Sequence, residues 1–145
     1  MTEKIKGIKI WVHAIMSTQN KLPIILPDIE SKVHKILAEE LKNTGCFSEI
    51  INGTSDHVHI VFQLNELLSL NEIMKQLQVG SSLVINQECF QAASFGWNED
   101  YLAFGISESQ LSKVVEYVKT QKDQHKSKPF IKEVNEFLKL HGLIP

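Results

Sequence analysis

The sequence predicts an α+β fold with a ferredoxin-like core, an antiparallel sheet in the order β-α-β-β-α-β with helices on one face. Segments rich in β-branched residues alternate along the chain with segments whose apolar residues follow helical spacing. The chain has 145 residues, 43% of them hydrophobic, and contains neither a repeat nor a linker. This suits one domain with a sizeable core. We therefore expect a single domain over residues 1–145, with a core of about 5–126 and a helical tail of about 129–142.

The first half of the chain predicts a strand, a helix and two further strands. Ile5–Ser17 predicts the first strand, and Thr18–Pro27, with two prolines, predicts a loop. Asp28 is expected to cap a helix that ends at Gly45, since the apolar positions between them have helical spacing: Ile29, Val33, Ile36, Leu37 and Leu41. The segment "CFSEIIN" predicts the second strand, and Gly53 turns the chain into the third, "SDHVHIVFQL".

The second half of the chain predicts a second helix, a last strand and a helical C-terminal part. Ser69 is expected to begin the second helix, which is interrupted near "VGSS" before it continues through "LVINQECF". Phe95–Ser107 predicts a hairpin or a last strand that turns at Asn98–Asp100. A helix follows to about Lys126. After Pro129 a final helix is expected to pack on its own subunit or on a partner through Ile131, Val134, Phe137 and Leu138.

Charge and its distribution leave two interpretations of the basic residues open. The net charge is −2, which argues against a large nucleic-acid footprint, and all fifteen basic residues are lysines. Six of these lysines lie between Lys113 and Lys132, against only Glu116 and Asp123. This segment predicts either a short nucleic-acid contact or a solvated helix face.

Cysteine content and hydropathy indicate the compartment. Cys46 and Cys89 are too few for a disulfide framework, so a reduced, cytoplasmic protein is expected. No apolar run approaches the ~20 residues of a membrane span. The segment "MTEKIKGIKI" does not have the pattern of a signal peptide. We therefore expect no membrane partner.

Two histidines in the third strand form a candidate metal site. Side chains alternate along a strand, so Val58, Ile60 and Phe62 should face the helices, while His57 and His59 point the other way. Neighbours on one face are ~7 Å apart along the strand, within reach of a common metal ion. The alternative is that each histidine is an ordinary satisfied or exposed polar residue. Two ligands rarely suffice, so a third is expected from another segment.

The helix before Lys126 offers further polar side chains. Its packed face is predicted from the spacing of Leu111, Val114, Val115 and Val118. Tyr117, Gln121 and His125 follow one another along the adjoining flank at i, i+4 and i+8. They would present a phenol, an amide and an imidazole from consecutive turns. Alternatively, Tyr117 extends the apolar stripe and Gln121 is solvated.

Taken together, these segments resemble the single-tyrosine HUH transposases of minimal bacterial insertion sequences, the IS200-like group with its REP-associated relatives. "DHVHIVF" is similar to the family's motif of two histidines around a bulky apolar residue. "GWNEDYLAFGIS" followed by "VVEYVKTQKDQHK" is similar to its tryptophan–tyrosine strand and its catalytic-tyrosine helix. The likeness extends from about Ile10 to Lys126, with the motifs in the family's order.

The resemblance implies a metal-dependent enzyme that nicks and rejoins single-stranded DNA. Tyr117 would attack a DNA phosphate, giving a 5′-phosphotyrosine intermediate and a free 3′ hydroxyl. His57, His59 and Gln121 would bind one divalent ion, magnesium or manganese, at each site. Asp56 would orient a ligand histidine or, alternatively, cap the turn before the strand. The family recognises DNA hairpins at the ends of its elements and works as a homodimer in which the tyrosine helix can serve the partner's histidines.

The chain departs from the family at several positions that concern DNA. The loop after the first strand carries only Lys21, and Gln78 stands where a lysine is common. The histidine pair that usually follows the glutamine is reduced to Gln124 and His125, and there is no arginine. Lysine contacts phosphate as a point charge without arginine's bidentate fork, so weaker DNA binding is expected. The residues expected to contact DNA are Lys21, Lys119, Lys122, His125 and Lys126.

Three other functions are alternatives to an active transposase. The first is a domesticated, non-transposing DNA-binding relative with the same fold. The second is a ferredoxin-like domain whose histidines hold a structural metal or none. The third is a metal-dependent phosphodiesterase, which would hydrolyse DNA without a protein adduct. The presence of the full set His57, His59, Tyr117 and Gln121 favours the transposase, because a binding module does not need all four.

Overall fold

The computed structural model describes residues 7–90 and 95–145, without the side chain of residue 127. Four antiparallel strands form one sheet in the order β2-β3-β1-β4: β1 Trp11–Thr18, β2 Phe47–Gly53, β3 His57–Gln63 and β4 Trp97–Ile106. The helices between the strands are α1 Pro27–Asn43 and α2 Leu70–Cys89. Three helices follow β4: α3 Leu111–Lys119, α4 Gln121–Ser127 and α5 Phe130–Leu140. The predicted ferredoxin-like order is confirmed, with β3 in the interior of the sheet.

Each face of the sheet packs against its own group of helices. On one face Val58, Ile60 and Phe62 lie in a buried core with apolar residues of α1 and α2. On the other face Trp11 and Val61 pack with Val118 of α3. The alternation predicted for β3 is therefore confirmed. The second face is covered by α3, α4 and α5, so it is inside the protein rather than in solvent.

The start of β1 and both ends of α1 differ from the predictions. The described part of the first strand begins at Trp11 rather than in the segment predicted from Ile5, part of which lies outside the described residues. The prediction that Asp28 caps α1 is wrong: Leu26 is the N-cap residue and Pro27 takes the first helical position, where its missing N–H costs nothing. Asp28 instead lies in the first turn, where its charge favours the helix dipole. At the other end the helix stops at Asn43, and Gly45 adopts φ 82°.

The predicted interruption of α2 near "VGSS" is also wrong, because the helix is continuous from Leu70 to Cys89. Its small residues serve packing instead. Gly80 faces the carboxylate end of Glu40 of α1, so that side chain lies over the glycine where the two helices pack. The Ser81 hydroxyl is buried and accepts a 2.9 Å hydrogen bond from Trp97 Nε1. The start of the helix is as predicted, with the Ser69 side chain accepting from the Glu72 amide.

Of the two alternatives predicted for Phe95–Ser107, the last strand is confirmed, because Trp97–Ile106 forms the single strand β4, and the turn expected at Asn98–Asp100 is wrong. Thr18 pairs with Trp97 and Met16 pairs with Tyr101, which leaves more residues on β4 than on β1 between the two pairs. The polar residues form this bulge in the ladder rather than a hairpin. The Asn98 carbonyl accepts a 3.0 Å hydrogen bond from Gln78 Nε2, so Gln78 has a role in joining α2 to the bulge.

The predicted helix from Ser107 to Lys126 is broken into three parts. Residues 108–110 form a 3₁₀ turn, and the α-helical backbone is interrupted at Thr120, with φ −96° and ψ 17°. The Thr120 hydroxyl donates a 2.9 Å hydrogen bond to the Tyr117 carbonyl at this break. Among the helices of the described residues, none is long and apolar enough to cross a membrane.

Candidate active site

Strand β3 begins at a tight turn that orients His57. A Cβ atom on Gly53 would lie 2.1 Å from the His57 carbonyl oxygen, so only glycine fits this approach. His57 Nδ1 lies 2.8 Å from Asp56 Oδ1 and 3.0 Å from Thr54 Oγ1. The hydrogen bond from His57 lowers the pKa of the Asp56 carboxyl. Because a carboxylate accepts, Nδ1 carries a proton, and His57 directs Nε2 to the covered face.

His59 has a neighbour that the sequence did not indicate, His13 of β1. His59 Nδ1 lies 2.8 Å from His13 Nε2, and both side chains are buried. Burial, and secondly the nearby His59, lower the pKa of His13 to about 3, so His13 is neutral. A neutral imidazole in hydrogen-bond contact fixes the ring orientation of His59. The only sequence signal for His13 is its place on the same face of β1 as Trp11 and Ile15.

The break at Thr120 brings Tyr117 and Gln121 to the histidines. Gln121 is fully buried, with Oε1 3.1 Å from both His57 Nε2 and His125 Nε2. The alternative that Gln121 is solvated is therefore wrong. Tyr117 is half-buried: its ring packs beside the Trp11, Val61 and Val118 cluster, while its hydroxyl points into the polar site.

Asn52 of β2 secures the broken helix from the sheet side. Its Nδ2 atom donates to the carbonyl oxygens of Val118 and Lys119, at 3.0 and 3.2 Å. Its Oδ1 atom accepts a 3.1 Å hydrogen bond from Lys122 Nζ. These carbonyl groups belong to the last turn of α3, where the regular helical hydrogen-bond pattern ends. One side chain therefore fixes the end of α3, which carries Tyr117, and the first turn of α4, which carries Gln121.

At the centre of the site lies Glu133, a fully buried carboxylate of α5 that sequence reasoning missed. Its Oε1 atom is 3.0 Å from His59 Nε2, 3.1 Å from His125 Nε2 and 3.6 Å from His57 Nε2. Its Oε2 atom accepts hydrogen bonds from the Tyr117 hydroxyl and, at 3.0 Å, from Gln121 Nε2. The available signal was an acidic residue within the inward-facing stripe of the last helix.

The packed face predicted for the last helix is confirmed at Phe137, with Val134 and Leu138 partly buried, but it differs at Ile131. Phe130 stacks on His57, Phe137 packs against Tyr117, and His141 stacks on Phe104. Ile131, which was expected to pack, is 55% exposed. The helix therefore packs on its own subunit, with Glu133 facing the histidines.

The carboxylate changes the proton affinity of the groups around it. Burial raises the pKa of Glu133, but hydrogen bonds from His59, Tyr117 and Gln121 outweigh that effect and leave it below its usual range. Burial, followed by the hydrogen bond to Glu133 and its negative charge, raises the pKa of the Tyr117 phenol. Burial also lowers the pKa of His59 despite its bond to Glu133. In this arrangement Glu133 is charged and Tyr117 is protonated.

The ligand atoms at this site fit a divalent cation. His57 Nε2 and Gln121 Oε1 lie 3.1 Å apart, a separation that either a hydrogen bond from a protonated Nε2 or a cation bound by both atoms would satisfy. Ligand atoms of His57, His125 and Glu133 all lie within 4.8 Å of one another. Imidazole and oxygen ligands in a buried cluster suit a first-row metal such as manganese. Of the expected ligands, His57 directly contacts Gln121, and His59 joins them through Glu133.

The four lysines expected to contact DNA lie on the surface, whereas the fifth expected contact, His125, does not. Lys122 pairs with Glu30 at 2.6 Å, and Lys126 pairs with Asp123 at 3.2 Å. Lys119 is exposed, and Lys21 borders a cleft shared with Phe130 of α5. His125 lies inside the polar site rather than on the surface. Lys119 and Lys21 are therefore better placed than Lys122 to reach a polymer in solution.

Comparison with known proteins decides the family. A family model described as "Transposase IS200 like" matches residues 7–121. The chain belongs to this family of IS200-like transposases. Among solved structures it is similar to a candidate transposase from Deinococcus radiodurans R1, with a TM-score of 0.65 and 17% identity, covering 83% of this chain and 98% of the other.

The chain is also similar to a REP-associated tyrosine transposase bound to a REP hairpin, with a TM-score of 0.62 and 12% identity. That alignment covers 86% of this chain and 74% of the other. At these identities the two structures support the fold, and a comparison with curated proteins found no match. IS200-like transposases process DNA, and this is the class of activity that the family membership supports. The matched region ends at Gln121, so it includes both histidines of β3 and Tyr117 but not α5.

Proposed function

We propose that this chain is a metal-dependent transposase of single-stranded DNA in which Tyr117 is the nucleophile. One observation carries the proposal: the Tyr117 hydroxyl, His59 Nε2 and the Gln121 side-chain amide all contact one carboxylate on a single sheet face, and Gln121 Oε1 faces His57 Nε2 at 3.1 Å. A phenol beside a cluster of imidazole and amide ligands has the parts needed for metal-assisted phosphoryl transfer. Membership of a transposase family supports DNA as the substrate.

In this proposal His57, His59 and Gln121 hold one divalent ion, magnesium or manganese. All three ligands are neutral, so a bound ion would keep its charge available to polarise a scissile phosphate. Asp56 keeps the proton of His57 on Nδ1, and His13 fixes the ring of His59. Asn52 holds Tyr117 and Gln121 in register with the strand through its bonds at the helix break.

The covalent step balances without ATP. The Tyr117 oxygen forms a bond to phosphorus as its proton leaves, and the bond from phosphorus to the 3′ oxygen breaks. The products are a 5′-phosphotyrosine and a 3′ hydroxyl that has taken up a proton. The phosphodiester bond energy is retained, so attack by another 3′ hydroxyl rejoins the strand and releases the tyrosine. This is strand transfer rather than hydrolysis.

The partners in the proposal are a DNA hairpin near the ends of an element and a second copy of the chain. The similar structure described as bound to a REP hairpin supports a hairpin ligand. Exposed lysines, first of all Lys119 and Lys21, would contact phosphates, with Lys126, Lys122 and His125 as further contacts. The catalytic core would be residues 5–126, with 129–142 as a helical tail of the same domain. A cytoplasmic location remains part of the proposal.

Intact-protein mass after incubation with hairpin-bearing single-stranded DNA and manganese tests this function. Wild type is expected to gain the mass of a DNA fragment, and the adduct should vanish with EDTA or in Tyr117→Phe. Tyr101→Phe is the matched control, since its hydroxyl bonds only Asn71 at the surface among the contacts described for it, and it should form the adduct normally. Cleavage without an adduct in both tyrosine variants would contradict the mechanism and favour the phosphodiesterase.

One observation favours a second candidate, a domesticated relative that binds DNA without transposing. The hydrogen bond from Tyr117 to Glu133 keeps the phenol protonated. DNA bound by every variant, with no adduct from any of them, would support this candidate.

A further inference from the structure

The proposed active site is closed to a polymer in this structure. His57, His59, Gln121 and Glu133 each have 0% exposure. A phosphate within a DNA strand has neighbouring nucleotides on both sides, so it cannot enter a buried cluster by diffusing through the protein. The residues must therefore become exposed before DNA can react with Tyr117.

Helix α5 is the element that closes the site. The ring of Phe130 stacks on the His57 ring with centroids 4.0 Å apart, and Phe137 lies 5.7 Å from the Tyr117 ring. Past the end of the helix, His141 stacks on Phe104 at 4.0 Å. These aromatic contacts cover the site on one side, and the sheet covers it on the other.

Glu133 contacts the same side-chain atoms that the proposed chemistry requires. Its carboxylate accepts the Tyr117 hydroxyl, which must be free to attack, and it lies against His59, which is to bind the metal. A buried charge is costly unless it is paired, and Glu133 has at least four polar partners. A phosphodiester is likewise an anion with oxygen acceptors, so the DNA phosphate and the Glu133 carboxylate compete for one position.

The extent of the family match separates α5 from the proposed catalytic machinery. The match ends at residue 121, and α5 begins at Phe130 after Pro129. The proposed metal ligands and nucleophile all lie inside the matched region. The carboxylate thus comes from a segment outside the region on which family membership rests.

From these observations we propose that α5 is an autoinhibitory lid, and that Glu133 is the plug it inserts between Tyr117 and the metal-binding side chains. The inference rests on the proposed function and adds its regulation. Single-stranded DNA binds productively only when α5 leaves the sheet, and the phosphate then takes the position of the carboxylate.

The test compares the full-length chain with Glu133→Ala and with Glu136→Ala as a matched control. Glu136 is on the same helix, is half-exposed and pairs with Lys128, so its replacement removes the same charge without opening the site. Two quantities are measured for each protein. The first is hydrogen exchange of the α5 amides without DNA, and the second is the initial rate of adduct formation with hairpin DNA and manganese.

Glu133→Ala is expected to exchange faster in α5 and to form adduct about tenfold to a hundredfold faster, the change expected for losing hydrogen bonds to a charged group. Glu136→Ala should leave the exchange of α5 unchanged and alter the adduct rate far less than Glu133→Ala does, because Glu136 acts on the Tyr117 phenol only through its charge. Glu133→Gln, which keeps the side-chain size, guards against misfolding and should show a smaller increase in the same direction.

Two results would overturn the proposal that α5 is a lid. An unchanged adduct rate in Glu133→Ala would show that the plug does not limit access. A lower rate together with weaker manganese binding by calorimetry would make Glu133 a metal ligand instead. If no variant forms an adduct, the proposed function fails. The lid is then judged by fluorescence anisotropy: tighter binding of hairpin DNA by Glu133→Ala than by wild type and Glu136→Ala supports it, and equal binding rejects it.

Discussion

Asp56 Oδ1 lies 2.8 Å from His57 Nδ1, so the residue before β3 determines which nitrogen of His57 faces the other proposed metal ligands. The contact joins sequence neighbours, but its effect reaches the centre of the site. There His57 Nε2 meets Gln121 Oε1, a residue of a helix far along the chain.

We expect Asp56→Ala to weaken manganese binding by about tenfold to a hundredfold, because partners that orient ligand histidines have effects of this size. His57 Nδ1 would then contact only the Thr54 hydroxyl, which can donate as well as accept, so the imidazole could take the other tautomer. Isothermal titration calorimetry of the full chain measures the affinity. Asp123→Ala, which removes an exposed carboxylate paired with Lys126, is the control and should bind as wild type does. Equal affinities in all three proteins would mean that Asp56 only shapes the turn.

Asn52→Asp is expected to lower the free energy of unfolding by about 1–3 kcal/mol and to slow adduct formation. The substitution keeps the size and the acceptor for Lys122 but removes the donor to Val118 and Lys119. Those carbonyl groups would lose their partner at the helix break. Urea unfolding gives the stability. Asn71→Asp is the control because Asn71 acts as an acceptor from Tyr101, which aspartate can also do. A stable Asn52→Asp protein with normal adduct yield would remove this residue from the positioning of Tyr117.

Lys119→Ala should reduce the salt dependence of DNA binding by about one unit in the log–log slope, as expected when one phosphate contact is lost. Lys119 is exposed at the end of the tyrosine helix. Lys42→Ala, at the end of α1, removes an exposed lysine elsewhere and should leave the slope unchanged. Anisotropy titrations at several salt concentrations give the slopes. An identical slope in Lys119→Ala would assign this lysine to the solvated helix face.

His34 on α1 should make the fold less stable in acid. Its Nε2 atom is buried without a hydrogen-bond partner among the described residues. Burial lowers its pKa below 6.5, Glu30 opposes this effect, and Lys122 adds to it. The folded chain therefore resists protonation that the unfolded chain accepts. Stability is full above the unfolded pKa and is lost as pH falls below it, by up to about 1.4 kcal/mol per pH unit.

Urea unfolding of wild type and His34→Leu at about pH 7.5 and about pH 5.5 tests this sign. Other histidines titrate equally in both proteins, so the difference between them reports His34. Wild type should lose more stability than His34→Leu between the two conditions. The same loss in both proteins would contradict the assignment.

The sheet and half of the candidate site could be predicted because their signals are local. Alternation in "HVHIVF" separates a core face from a histidine face, and it does so whatever the strand pairs with. The spacing of Tyr117 and Gln121 along one flank likewise depends only on helix geometry. Even the break at Thr120, which was missed, leaves both residues on the side that faces the histidines.

The remaining features depend on contacts that no local pattern records. Gly80 and Ser81 are residue types that often interrupt a helix. Here they lie inside α2, where Gly80 faces the Glu40 side chain and Ser81 bonds Trp97. Glu133 is a charged residue of the kind that usually lies in solvent, and only the docking of α5 buries it among histidines. In both cases the tertiary contacts outweigh the propensity of the residues.

The attachment of α3 to the sheet bears on how two copies of the chain would share a site. In a symmetric dimer with exchanged tyrosine helices, Asn52 would make the same bonds to a helix of the other subunit. The bonds lost and gained would be identical, so the contacts within the site cannot favour one arrangement over the other. The choice would then depend on the short connection at residues 107–110 between β4 and α3. Its length and stiffness, rather than any residue that touches DNA, would decide whose tyrosine serves whose histidines.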